Sequence, residues 1–266
     1  MRRTSFSLLT LIIVLAVSLS GFAQNSLDKI TKSGVIKIGM TGSQPPYSME
    51  SKDGSLMGYE VDLAKLLAET MNLELELVRL PFNELLPALK DGKIDAVMSG
   101  MSITMERNMQ AAFVGPYVLS GKSILTKSEN IAKAEEKEDL NQSDLKITSL
   151  KGSTSEKFVN VFLPEATSMP ASNYDEAVKK LINDEANVMV ADYAICALNI
   201  YLNPTAGLVT LSEPLTIEPI GMALPPDDPL FINFMENYVK GLVMSGILTE
   251  LESFWFNNGS WLSKMK

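Results

Sequence analysis

Residues 188–198 read VMVADYAICAL. The run 188–191 is apolar and short, and then a single carboxylate, Asp192, interrupts it. Beyond Asp192 the residues Tyr193, Ala194, Ile195, Cys196, Ala197 and Leu198 suit a helix. The stretch therefore reads as a buried strand that runs straight into a helix, with an acid at the junction. A continuously apolar strand is the mark of a sheet covered on both faces.

The same alternation extends outward from this point. Upstream, 145–148 reads as a strand, with helices over 154–163 and 174–183. Nearer the N-terminus, 35–39 reads as a strand and 59–71 as an amphipathic helix. The segment 73–80 alternates apolar and charged residues, as a half-covered strand does. A short helix over 83–90 is ended by Asp91-Gly92, and strands follow at 94–99 and 123–126. Downstream lie a strand over 220–224 and helices around 230–245 and 247–256. Strands alternating with helices of this length predict an α/β fold with parallel sheets. The charged segment 127–144 reads as solvated surface. The order of elements predicts two α/β units, with the chain crossing between them near 117–121 and returning near 216–220.

Composition narrows the function. Arg2 and Arg3, the apolar run 8–19 and the small residues 20–23 read as a secretory signal peptide over 1–23, cut near Ala23. This predicts an exported, periplasmic protein, and no later stretch is apolar for long enough to cross a bilayer. The net charge is −9, and about −11 without the leader, which argues against nucleic acid or an anionic membrane as partner. The one cysteine, Cys196, has apolar neighbours and reads as a buried small hydrophobe. The chain has no histidine. That removes Ser-His-Asp and Cys-His nucleophile systems and the commonest metal ligand. Carboxylates and lysines alone can serve an enzyme, but hydrolase chemistry becomes a poor expectation, and no catalytic site, metal or other cofactor is assigned.

Arg107 follows the small polar run Ser99-Gly100-Met101-Ser102. A guanidinium aimed into a cleft is a fork for a carboxylate, whereas a solvated helix arginine is the plain alternative. Ser102 and Thr154 suit helix caps equally well, and Asp192 suits the cap of the helix it precedes.

Three strings give these residues a context: Gly58-Tyr59-Glu60-Val61-Asp62-Leu63-Ala64, Ser102-Ile103-Thr104-Met105-Glu106-Arg107 and Gly115-Pro116-Tyr117. With Gly92-Lys93-Ile94-Asp95-Ala96, Gly152-Ser153-Thr154-Ser155-Glu156-Lys157-Phe158 and Ala191-Asp192-Tyr193, the chain resembles the family-3 extracellular solute-binding proteins, the polar amino-acid-binding proteins of ABC importers. The resemblance implies a type II periplasmic binding fold, two α/β lobes joined by two hinge strands. Residues 24–118 and 218–266 would form one lobe and 119–217 the other. It further implies that Arg107 holds a ligand α-carboxylate, helped by Ser102, the backbone of Gly100, and Thr154 with Ser153. Asp192 would accept the α-ammonium, and Phe82 would lay an aromatic face on the ligand. Tyr47 and Tyr59 are weaker candidates for the same role, with core packing the alternative for all three aromatics; Glu60, Asp62 and Asp95 are expected to be structural or hinge-supporting. Thr41 and Gln44 are expected near the side-chain pocket. Lys122, if it faces the cleft, would suit an acidic or polar side chain. The implied partners are a small amino-acid ligand and an inner-membrane ABC permease, with the protein a monomer.

The same strings also resemble the periplasmic cyclohexadienyl dehydratases, which share the fold and release water and carbon dioxide from prephenate or arogenate. Those enzymes carry a glutamate a few residues after the Asp192 position. Here that place falls at or near Ile195, which cannot donate a proton, so a binding protein is the expected reading and a dehydratase the alternative.

Overall fold

The computed structural model describes residues 25–133 and 137–266; the leader predicted over 1–23 lies outside them. The elements are α1 (Ser26–Ser33), β1 (Val35–Met40), β2 (Met49–Glu50), β3 (Leu56–Met57), α2 (Tyr59–Met71), β4 (Glu74–Arg79), α3 (Leu85–Lys90), β5 (Ala96–Val97), α4 (Met105–Asn108), β6 (Ala112–Ser120) and β7 (Lys122–Thr126). They continue with β8 (Lys146–Leu150), α5 (Thr154–Phe162), β9 (Thr167–Ala171), α6 (Tyr174–Ile182), β10 (Val188–Asp192), α7 (Tyr193–Leu202), β11 (Val209–Thr210), β12 (Glu218–Leu224), α8 (Pro229–Ser245) and α9 (Ile247–Glu252).

Two five-stranded sheets organise the chain, with orders β4-β1-β5-β12-β6 and β11-β7-β10-β8-β9. Three strands of each, β4-β1-β5 and β10-β8-β9, are parallel, as the alternation predicts. The sheets as wholes are mixed, which corrects the expectation of purely parallel ones. Antiparallel β12 and β6 complete the first sheet, and antiparallel β7 and β11 the second. The reason lies in the crossings: β6 leads through the single residue Gly121 into β7, and β12 returns beside β6 with Glu218 opposite Ser120. A Cβ at Gly121 would lie 2.0 Å from the Thr216 carbonyl oxygen, so the two crossing segments pass too closely for any other residue.

Three further differences have local causes. The strand expected over 94–99 is only Ala96–Val97. At its flanks side chains take part in the ladder, Lys37 N–H donating to Asp95 Oδ2 (2.8 Å) and Thr41 N–H to Ser99 Oγ (3.0 Å), while the Asp95 and Met98 N–H groups still donate to the Lys37 and Gly39 carbonyls. The strands β6 and β9, which are not among the strands expected from the sequence, contain Pro116 and Pro170. Both strands lie at sheet edges, where a missing N–H is tolerated. The last turns after α9 pass through a π-helical segment, Ser253–Asn257.

Three apolar clusters hold the chain together. One packs α2 and α8 on the first sheet, burying Ile36, Ile38, Leu63, Leu67, Phe231 and Met235; a third fills the second sheet around Ile124, Ile147, Val159 and Val190. The remaining cluster joins residues of both units, with Phe82, Leu85 and Met101 from the first and Leu150, Tyr174 and Ile195 from the second. Among the described residues no helix is long and apolar enough to cross a membrane.

Candidate functional site

The carboxyl end of β10 delivers Asp192 to the space between the two sheets. Asp192 occupies the N-cap position of α7, yet its side chain makes no capping hydrogen bond, which corrects its reading as a side-chain cap. The neighbouring helices show the same economy. Thr104, not Ser102, caps α4 by accepting from Arg107 N–H, and Ser153, not Thr154, caps α5 by accepting from Glu156 N–H. The hydroxyls of Ser102 and Thr154 are thereby released to face one another across the cleft, 3.3 Å apart.

Together with Gln44, Phe82, Gly100, Arg107, Ser153 and Asp192, these two residues line a cavity between the lobes. Its free volume is about 10 Å³, so the cleft is drawn nearly shut. Arg107 is 9% exposed. Its Nη1 donates to the Ser102 carbonyl oxygen (2.9 Å), its Nη2 donates to the Gly152 carbonyl oxygen (3.2 Å), and its guanidinium lies 5.4 Å from the centre of the Phe82 ring. The plain alternative of a solvated helix arginine therefore does not describe this side chain. Two of five guanidinium donors are engaged on carbonyls, one from each lobe. Burial lowers the Arg107 pKa, and the charges of Glu218, Asp192 and Glu106 oppose that shift.

Asp192 is 5% exposed. Burial pushes its carboxyl up to about 7; Lys122 and Arg107 pull it back, while Glu218 pushes it further. Beneath the cleft floor, Glu60 is fully buried and also pushed up to about 7 by burial, against the hydrogen bonds it receives from Tyr117 and Gly100. The Gly100 N–H donates to Glu60 Oε1 at 2.6 Å, so this backbone donor serves the loop and is not offered to the cleft. Gly100 has φ 57°, and a Cβ there would meet the Gln44 amide at 2.4 Å.

The other sequence-predicted residues divide cleanly. Phe82, Ser153 and Gln44 line the cavity, as does the backbone at Gly100. Tyr47 does not; its ring packs edge-on against Phe256 at 5.4 Å and lines a separate cavity of about 480 Å³ behind the crossing strands. Tyr59 is a core residue whose hydroxyl donates to the Tyr117 carbonyl oxygen. Thr41 lies behind Ser99, joined to it through its backbone N–H. Ile195 is fully buried in the cluster shared by the two units and presents no ionisable group. Cys196 is buried beside it, its thiol pushed far up by burial.

Lys122 is 2% exposed rather than solvated, and it is not a free cation. Its Nζ lies 2.5 Å from Glu218 Oε1 and donates to Thr154 Oγ1 at 2.7 Å. Glu218 Oε2 accepts from Ser102 Oγ (2.7 Å) and Thr154 Oγ1 (2.9 Å). Burial alone would raise the Glu218 carboxyl, but Lys122 and the two hydroxyls hold it below the usual carboxylate range. Glu218 went unrecognised in the sequence, because it sits in the proline-punctuated segment 212–219 with no periodicity to aim it. At the cleft rim Lys157 of α5 and Glu106 of α4 form an exposed ion pair.

The sequence profile of the bacterial extracellular solute-binding proteins, family 3, matches residues 36–258. The chain is 29% identical to a cyclohexadienyl dehydratase of Pseudomonas aeruginosa, over 91% of each chain. Among solved structures, it is similar to an ancestral amino acid-binding protein, AncCDT-1, a precursor of cyclohexadienyl dehydratase. The two share 35% identity and a TM-score of 0.81, over 87% of this chain and 99% of that one. It is also similar to a putative ABC-transporter binding component from Wolinella succinogenes complexed with lysine. That match has 30% identity and a TM-score of 0.82 over the same shares.

Proposed function

The chain belongs to the bacterial extracellular solute-binding proteins of family 3, and on that premise we propose that it captures a polar or acidic L-amino acid in the cleft between its lobes. We infer further that it works in the periplasm as a monomer, closing on the ligand and presenting it to an ABC permease. The observation that carries this reading is the pairing of opposite charges from opposite sides: Arg107 from the first lobe and Asp192 from the second both line the same cavity. A zwitterion supplies the complement of each, carboxylate to guanidinium and ammonium to carboxylate, and so bridges the two lobes.

The experiment is a thermal-shift screen of the mature chain, unfolded and refolded to strip any carried ligand, against the twenty amino acids plus prephenate and arogenate. A ligand confined to the folded state raises stability by about 2.7 kcal/mol at a hundred-fold excess over its Kd. A response to one or a few amino acids is expected. A response only to prephenate or arogenate would overturn the reading.

The second reading, a dehydratase, is favoured by the likeness to the Pseudomonas enzyme and by Asp192, a cleft carboxyl that keeps its proton near neutrality. Against it stand Ile195, buried and apolar where the resemblance to the enzymes calls for an acid, and the ionised form that Asp192, raised only to about 7, still offers to an ammonium near neutrality. The protein is accordingly expected to form no phenylpyruvate from prephenate. Turnover above the uncatalysed rate, followed by ultraviolet absorbance of the product, would replace the binding reading with the enzymatic one.

A further inference from the structure

Lys122 and Glu218 form a closed circuit beside the cleft, joined to it through two residues of its lining, Ser102 and Thr154. One ammonium donates to a carboxylate oxygen and to the Thr154 hydroxyl, and that hydroxyl and Ser102 both donate to the other carboxylate oxygen. The four groups come from four places in the chain: the loop before α4, the first residue of β7, the first turn of α5 and the start of β12. Ser102 and Thr154 also line the cavity that holds Arg107 and Asp192. We infer that Glu218 is a specificity-determining residue that sets the charge class of the ligand, an inference that rests on the amino-acid-binding reading above.

Charge balance in a desolvated space sets the preference. Arg107 and Asp192 already complement the two charges common to every amino acid. Lys122 and Glu218 then cancel each other, so no unpaired cation or anion remains for a charged ligand side chain. An acidic side chain would be desolvated with its natural partner, Lys122, already engaged by Glu218. A basic side chain would have to displace Lys122 from Glu218 and leave that ammonium buried without its mate. An uncharged polar side chain meets neither obstacle and can exchange hydrogen bonds with the hydroxyls and the Gln44 amide. Of the sequence expectation that Lys122 suits an acidic or polar side chain, the pairing with Glu218 favours the polar half.

The test is isothermal titration of the refolded wild type, Glu218→Gln and Lys122→Gln against the twenty amino acids. Glutamine at 218 removes the charge and keeps one oxygen for the two hydroxyls, while its amide NH2 replaces the oxygen that Lys122 bonds and so frees the ammonium. The wild type is expected to bind an uncharged polar amino acid most tightly. Glu218→Gln should improve glutamate or aspartate relative to that ligand by about ten-fold or more, and Lys122→Gln should do the same for lysine or arginine. The two variants read the same circuit from its two ends, so one that fails to fold leaves the other to decide. A wild type whose tightest ligand has a charged or apolar side chain would overturn the inference, as would unchanged acid-to-neutral and base-to-neutral ratios in the folded variants. Absence of binding to all twenty by the wild type would overturn the amino-acid reading itself, and the inference with it.

Discussion

Arg107→Ala is expected to abolish measurable amino-acid binding. The substitution removes the cleft's fork for a carboxylate while leaving Asp192 to accept the ammonium. The bound ligand would then carry a buried carboxylate without its mate, a loss of the order of 2–5 kcal/mol, or roughly thirty-fold to several thousand-fold in Kd. Arg107 also ties the Ser102 and Gly152 carbonyls together across the cleft, so alanine weakens closure as well as recognition. Two controls separate these effects. Arg107→Lys keeps the charge but not the two-pronged geometry and should bind weakly. The melting temperature of the unliganded variant reports whether the fold survives. Tight binding by a folded Arg107→Ala protein would place the carboxylate elsewhere.

Asp192→Asn should weaken binding by about ten-fold or more, and it should change how binding depends on pH. The Asp192 carboxyl is raised from 3.8 to about 7 in the folded protein by burial. Between about pH 4 and 7 the folded state thus holds a proton that the unfolded state has released. The unliganded protein therefore loses stability as pH rises through that window, by at most about 1.4 kcal/mol per unit from this group. An incoming ammonium needs the ionised form, so affinity moves the other way and falls as pH drops below 7. Asparagine removes both slopes at this position. Glu60 is raised in the same direction, which is why the difference between wild type and Asp192→Asn is the quantity to measure. Equal affinity in the two proteins would move the ammonium site away from Asp192.

The sequence made one half of this site visible and hid the other. Asp192 was legible because an apolar strand has to end somewhere, and strand ends in open α/β sheets face the ligand crevice. Arg107, Ser102 and Thr154 were legible through the resemblance of the strings that contain them, since taken alone a solvated helix arginine and two helix caps described them as well. The sequence offered Ser102 and Thr154 as caps, whereas the helices start one or two residues away from those expectations, with Thr104 and Ser153 as their caps. Glu218 was hidden for a different reason. Its position depends on β12 returning beside β6 with Glu218 opposite Ser120, a long-range register that no local pattern encodes. Lys122 was consequently visible as a charge but not as half of a pair. The proline-bearing edge strands β6 and β9 were lost because an edge tolerates the missing N–H that a central strand does not.

The apolar cluster shared by both lobes gives the cleft a calorimetric signature. Opening would wet Phe82, Met101, Leu150 and Tyr174, which are all buried here in one continuous patch. Exposed apolar surface raises heat capacity, and its burial lowers it. A ligand that draws an open form shut would therefore bind with a heat-capacity change far more negative than its own small surface could account for. The slope of binding enthalpy against temperature becomes a gauge of how far the lobes travel, read without labels and without a second structure.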